Sequence, residues 1–225
     1  MKKAALIIPA GGIGKRLGGE VPKQYLELNN VPIFIHTIKN FEKFECIEVC
    51  IIAAHPEWHE YIYDKIELFK VKIPVYCVEN GVERQFSVHN ALKSKYCDDM
   101  DYVLIHDAVR PFVTKQLIKD IFLELDHYQA VIPAIPAKDT IKMMNDDGTV
   151  QATLDRSKLC MVQTPQAFNR EVIRKAFDTA INLGFLGTDD ASIAEFCGIP
   201  VKVIPGLAEN VKITDRQDLI NAENR

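Results

Sequence analysis

Residues 9–24 read Pro9-Ala10-Gly11-Gly12-Ile13-Gly14-Lys15-Arg16-Leu17-Gly18-Gly19-Glu20-Val21-Pro22-Lys23-Gln24. Glycines lack a Cβ, so backbone N–H groups there can close in on phosphate oxygens and form an anion-binding concavity. Lys15, Arg16 and Lys23 put three cations within nine residues, a density suited to a polyphosphate. Two familiar phosphate motifs fail on spacing. With Lys15 as a P-loop lysine, the positions that need Gly and Ser or Thr hold Pro9 and Arg16. A dinucleotide pattern starting at Gly12 and Gly14 needs a small residue where Leu17 stands.

Downstream, Asp107 follows an apolar run and could hold a divalent cation together with phosphate oxygens, or simply cap a turn. His55-Pro56-Glu57-Trp58-His59 spaces two histidines four apart, but a zinc-protease helix needs Glu at Pro56, so ordinary helix-start residues are expected. His106 is expected to be a packed histidine at a strand end. Thr188-Asp189-Asp190 could cap a helix running through Glu195. Neither Ser157 nor Ser192 has a neighbouring histidine, so no hydrolytic triad is indicated.

These residues need a scaffold, and the chain alternates strand and helix to supply one. Ala4–Ala10, Ile47–Ala54, Val75–Glu79, Tyr102–His106, Ala130–Pro136 and Val201–Ile204 are short apolar runs expected as strands. Helices are expected at Ile33–Phe44, Pro56–Lys70, Arg84–Lys95, after caps at Thr114 and Asn169, and at Thr214–Ala222. That alternation implies an α/β fold with a mostly parallel central sheet and helices on both faces. Asp147-Gly148, between partly alternating runs, signals a hairpin that would project as an arm at about residues 138–160 of a single domain over 1–225.

The 225 residues carry 27 Lys and Arg against 31 Asp and Glu, a net charge of -4. No basic excess marks a nucleic-acid binder, so any phosphate-binding cations must be gathered locally. The early apolar run is interrupted by Pro9 and Gly11 and is too short for a membrane span or a secretory leader. Six cysteines without a CxxC are expected to be reduced, mostly buried thiols of a cytoplasmic protein, with Cys46 and Cys50 only a weak redox pair.

Residues 9–24 resemble the signature of the sugar-nucleotidyltransferase class. Further blocks follow in order: Gly81–Val88, His106–Phe112, Lys138–Lys142, Leu154–Arg156, Gln163–Phe168, Thr188–Ser192 and Glu209–Thr214. Each block alone is specific only to the class; the ordered set is similar to the 2-C-methyl-D-erythritol 4-phosphate cytidylyltransferase family of the non-mevalonate isoprenoid pathway. The resemblance implies a Rossmann-like nucleotidyltransferase fold, CTP and a small polyol phosphate as substrates, Mg²⁺ as cofactor, and a homodimer.

Residue by residue, the resemblance implies that Ala10, Gly11, Gly12 and Gly14 line the nucleotide site, and that Arg16 and Lys23 grip the triphosphate. It assigns the cytosine to Gly81 and Ser87, the ribose to Ala108 and the metal to Asp107. Arg110, Thr140, Arg156 and Thr188 are expected around the acceptor phosphate, and Lys212 at the reacting phosphates. The family usually has a second glycine before Gly81 and often an acidic residue after it, where this chain has Asn80 and Val82. That departure touches base contacts and not the phosphate chemistry. Two alternatives stay open: a related cytidylyltransferase acting on ribitol 5-phosphate or another pentitol phosphate, and a non-catalytic nucleotide-binding module. Lys138–Lys142, Leu154–Arg156 and Thr188–Ser192 favour methylerythritol phosphate over the pentitol acceptors.

Overall fold

In the computed structural model, residues 2–12 and 21–224 are described. Ala4, Ala5, Leu6, Ile7 and Ile8 are all fully buried, as an uninterrupted apolar strand covered on both faces requires. They form β1 (Ala4–Pro9). Next come a short antiparallel pair, β2 (Glu27–Leu28) and β3 (Val31–Pro32), then α1 (Ile33–Phe41), β4 (Ile47–Ala54), α2 (His59–Leu68), β5 (Val75–Glu79) and α3 (Arg84–Lys93). β6 (Tyr102–Ile105), α4 (Lys115–Glu124) and β7 (Ala130–Pro136) continue the alternation. Thr114 caps α4 by accepting the Leu117 N–H, as its place before the apolar periodicity predicts.

The rhythm then breaks. β8 (Lys142–Met144) and β9 (Val150–Thr153) form a two-stranded sheet of their own, closed by a turn in which Gly148 takes a φ of 84°. Asp147 steadies that turn by accepting from the Thr149 N–H at 2.9 Å. β10 (Cys160–Val162) and β11 (Gln166–Asn169) follow, then α5 (Arg170–Asn182) capped by Asn169, α6 (Asp190–Phe196), β12 (Lys202–Pro205) and α7 (Arg216–Glu223).

β1 is central, parallel to β4 on one edge and to β6 on the other, and β4 carries β5. β11 runs antiparallel between β6 and β7, so β6 and β7 point the same way. β12 joins β7 in parallel at Val131, the residue that β11 reaches from the opposite edge. The sheet is therefore mostly parallel, with β10 and β11 the reversed members. Sequence reading missed both reversed strands because they are short, and Pro165 lies between them.

Alternation along β1 divides the core. Ala4, Leu6 and Ile8 pack with Phe34, Ile38 and Phe41 of α1 and with Ile118 and Ile121 of α4. Ala5 and Ile7 pack on the other face with Val88 and Leu92 of α3 and Ile173 and Phe177 of α5. Each such large side chain contributes on the order of 1.5–3 kcal/mol by leaving water, and the two layers fix β1, β5 and β6 as a rigid platform. All six cysteines are free. Fewer are buried than their apolar surroundings predict: Cys50 and Cys97 are enclosed, Cys46, Cys77 and Cys197 are half-buried, and Cys160 is exposed because it lies on the edge strand β10. Among the described residues no helix is long and apolar enough to cross a membrane.

Candidate active site

A cleft of about 290 Å³ opens beyond the carboxyl ends of β1, β5 and β6, where ligands of open α/β sheets bind. Gly11, Gly12 and Lys23 line one wall, Gly81, Arg84 and Ser87 another, and Asp107, Ala108 and Lys212 the floor. Gly14 and Arg16 lie outside the described residues. Ala10 is buried just beneath the wall.

Local structure explains each placement. Gln24, buried and unassigned in the sequence reading, donates from Nε2 to the carbonyls of Ala10 and, at 3.0 Å, Gly12. It ties the end of β1 to the turn that carries Lys23. At the second wall the Gly81 N–H donates to Ser87 Oγ at 3.0 Å, and Ser87 Oγ donates on to the Glu83 carbonyl. A Cβ on Gly81 would stand 2.2 Å from Phe86 Cβ, so only glycine lets this turn close. Asn80 donates from Nδ2 to the Gly81 carbonyl at 3.0 Å, and its side chain packs on Gly11, joining the two walls. Val82 points into solvent.

Asp107 gathers the cations. Its Oδ2 accepts from Arg110 Nε at 3.1 Å and pairs with Lys212 Nζ at 3.0 Å, while Oδ1 faces Arg84 Nε at 3.9 Å. Burial alone would raise this carboxyl, but Lys212, Arg84 and Arg110 together outweigh it and hold Asp107 ionised, well below the usual carboxylate range. Arg110 also donates to the Asn210 carbonyl at 2.7 Å, which docks the segment before Lys212 onto the floor. Arg84, a site residue inside the Gly81–Val88 block to which the sequence assigns no role, forks onto Asp190 at 2.8 and 2.7 Å.

His106 is the packed histidine that its sequence position predicts. It is fully buried, and burial pushes its pKa down to about 4, so the ring is neutral. Nε2–H donates to the Arg110 carbonyl and Nδ1 accepts from the Thr164 hydroxyl, which in turn accepts the Asp107 N–H at 3.1 Å. A folded pKa below the unfolded value near 6.5 means that stability is present above pH 6.5 and lost as pH falls towards 4. His106→Gln should therefore flatten the pH dependence of the unfolding free energy from urea titrations between those limits, by about 3 kcal/mol at full effect. Parallel wild-type and variant curves across that window would show that the ring is not buried neutral.

Thr140 and Arg156 are not in this cleft. They stand exposed at the feet of the β8–β9 hairpin, where Arg156 Nη1 donates to the Lys138 carbonyl at 2.8 Å. Thr188 is exposed just before α6, and Asp189 caps that helix by accepting the Ser192 N–H. His59 donates from Nε2 to the Ala54 carbonyl, a helix-start contact, and no metal-holding cluster of three His, Cys, Asp or Glu occurs among the described residues.

Residues 4–225 match the family model of IspD, 2-C-methyl-D-erythritol 4-phosphate cytidylyltransferase. A protein of that name from Bacillus cereus is 42% identical over 219 residues, covering 97% of this chain and 96% of its own. One from Syntrophus aciditrophicus is 41% identical, with 98% and 94% covered. The crystal structure of 4-diphosphocytidyl-2C-methyl-D-erythritol synthase from Anaerococcus prevotii superposes with a TM-score of 0.87 at 29% identity, over 99% of this chain and 97% of that one. With a sheet and a cation-lined cleft in the places the sequence blocks require, the chain belongs to the 2-C-methyl-D-erythritol 4-phosphate cytidylyltransferase family.

Proposed function

We propose that the protein transfers a cytidylyl group from CTP to 2-C-methyl-D-erythritol 4-phosphate in isoprenoid precursor biosynthesis. An oxygen of the acceptor phosphate attacks the α-phosphorus of CTP. The bond to the bridging oxygen breaks, and pyrophosphate leaves with that electron pair. The observation that carries this reading is the convergence of Gly11, Gly12, Lys23, Gly81, Ser87 and Lys212 on one cleft.

The attacking phosphate is already ionised, so the reaction needs positioning and charge neutralisation more than a base. His106 fits that logic, with a neutral ring whose two nitrogens are both engaged. Lys23 and Lys212 act as point charges on phosphate oxygens, and Arg16 joins them by family resemblance. Gly81 and Ser87 take the cytosine, with Asn80 and Gly11 packed behind. Ala108 lies against the ribose. Arg110, held by Asp107 and the Asn210 carbonyl, supports the acceptor side through the floor.

Asp107 suits Mg²⁺. Oδ2 is held by Arg110 and Lys212, whereas among the described residues no hydrogen bond reaches Oδ1. One carboxylate with triphosphate oxygens is a usual Mg²⁺ donor set. When bound there, the ion would neutralise charge on the triphosphate. A homodimer completes the proposal, with Thr140 and Arg156 reaching a partner's acceptor site. Six free thiols support a cytoplasmic location.

The test is Mg²⁺-dependent pyrophosphate release from CTP with a panel of acceptors. Methylerythritol phosphate should exceed ribitol 5-phosphate in kcat/KM. Faster reaction with the pentitol phosphate would reassign the substrate, and no release with any acceptor would leave a nucleotide-binding module.

A further inference from the structure

The wall formed by Gly81–Ser87 does more than border the cleft. From its middle, two adjacent side chains reach across to a segment about a hundred residues later in the chain. Gln85, buried, donates from Nε2 to the Phe185 carbonyl at 3.0 Å and accepts the Gly187 N–H on Oε1 at 2.8 Å. Arg84 forks both Nη atoms onto the two oxygens of Asp190, which is fully buried. The same segment is pinned from β11, where Gln166 donates to Asp189 Oδ2 at 2.7 Å and accepts the Ala191 N–H at 2.9 Å. Thr188 stands between these anchors with its own side chain exposed.

Such a pair is an expensive way to hold a loop. Burial pushes the Asp190 carboxyl up, and the double donation from Arg84 opposes that shift. Buried ion pairs often return little net stability compared with apolar packing of the same volume. What a bidentate fork adds is a fixed direction and distance. Here that geometry joins the nucleotide wall to the segment carrying Thr188.

We infer that Asp190, acting through Arg84 and beside Gln85, is a positioning residue that registers the 185–190 segment against the nucleotide wall, so that filling the cleft orders the acceptor side. The inference rests on the proposed reading of the cleft as the CTP site and on the acceptor role that family resemblance gives Thr188. Binding of the first ligand then stiffens the segment that the second must meet, a coupling carried by named hydrogen bonds.

Hydrogen exchange of the wild-type protein with CTP and Mg²⁺, without acceptor, tests it directly. Amides of residues 81–88 and of 185–190 should both slow, the second set by about 10-fold, within the usual range of coupling between sites. Asp190→Asn, of nearly the same shape, should keep CTP protection over 81–88 and lose it over 185–190. Its acceptor KM should rise about 10-fold while kcat at saturating acceptor holds, a split that simple loss of folded protein does not produce. Protection confined to 81–88 in the wild type would overturn the link and leave the CTP site standing. Protection at neither segment would overturn both. The wild-type measurement decides alone if the variant does not fold.

Discussion

Asp107→Asn should lower turnover by about 100-fold or more and move the Mg²⁺ requirement upward, while circular dichroism still reports a folded protein. The substitution keeps the shape but replaces an acceptor oxygen by an NH₂ group, or leaves a neutral oxygen, facing Lys212 at 3.0 Å and Arg110 at 3.1 Å. Lys212 and Arg110 then lose the carboxylate they share, while Arg84 keeps Asp190, and Lys212 loses the partner that aims it into the cleft. Preorganised donors lose their effect when their direction is lost, because nothing remains to align them as charge develops. The folded carboxyl is held below its ordinary value by those cations, so its contribution to stability is present above pH 3.8 and is missing from the variant at neutral pH. A metal titration and a turnover number indistinguishable from wild type would make Asp107 a turn residue.

Mixing Lys23→Ala with Arg156→Ala, each strongly impaired at limiting acceptor, should restore activity once subunits exchange. Neither Thr140 nor Arg156 lines the cleft of its own chain. The hairpin that carries them leaves Met143, Met144 and Val150 exposed at 43%, 54% and 54% in a single copy, and an isolated pair of strands is marginally stable without a further surface to pack on. In a two-fold dimer with shared acceptor sites, one site of the mixed species carries both lesions and the other carries neither. Random exchange then leaves roughly a quarter of all sites intact. Arg156→Ala alone should raise the acceptor KM with CTP binding kept. A monomer in sedimentation, or mixtures that stay dead after proven exchange, would end the shared-site reading.

What could be read beforehand follows the range of the interactions involved. Thr114 and Asn169 cap helices through contacts three residues away, and both caps occur as expected. The Asp147-Gly148 hairpin is equally local. Ile47–Ala54, Val75–Glu79 and Ala130–Pro136 form strands at the expected bounds because each is a short run rich in apolar and β-branched residues. Thr214–Ala222 shifts to Arg216–Glu223 because Asp215 outcompetes Thr214 for the cap by a reciprocal bond with Asp218. Arg84 is the instructive omission. It lies inside the Gly81–Val88 block, but its partner Asp190 is 106 positions away, and no local spacing announces such a pair. Gln24, Gln163 and Asn210 were silent for the same reason. Gln163 donates to the Leu207 carbonyl and Asn210 to the Thr164 carbonyl, bonds that join the connection between β10 and β11 to the segment after β12.

The central position of β1 has a consequence for how the chain is made. Its first partner, β4, follows within about fifty residues, but its second edge is closed only by β6, through pairs such as Ile7 with Ile105. At translation rates of about 5–20 residues per second, the fully apolar N-terminal strand spends roughly 5–20 s without its complete set of neighbours. During that interval it offers an unpaired, uncharged edge, the kind of template on which nascent chains aggregate. Protection of this one edge during synthesis is therefore a demand on the chain separate from the stability of the finished fold.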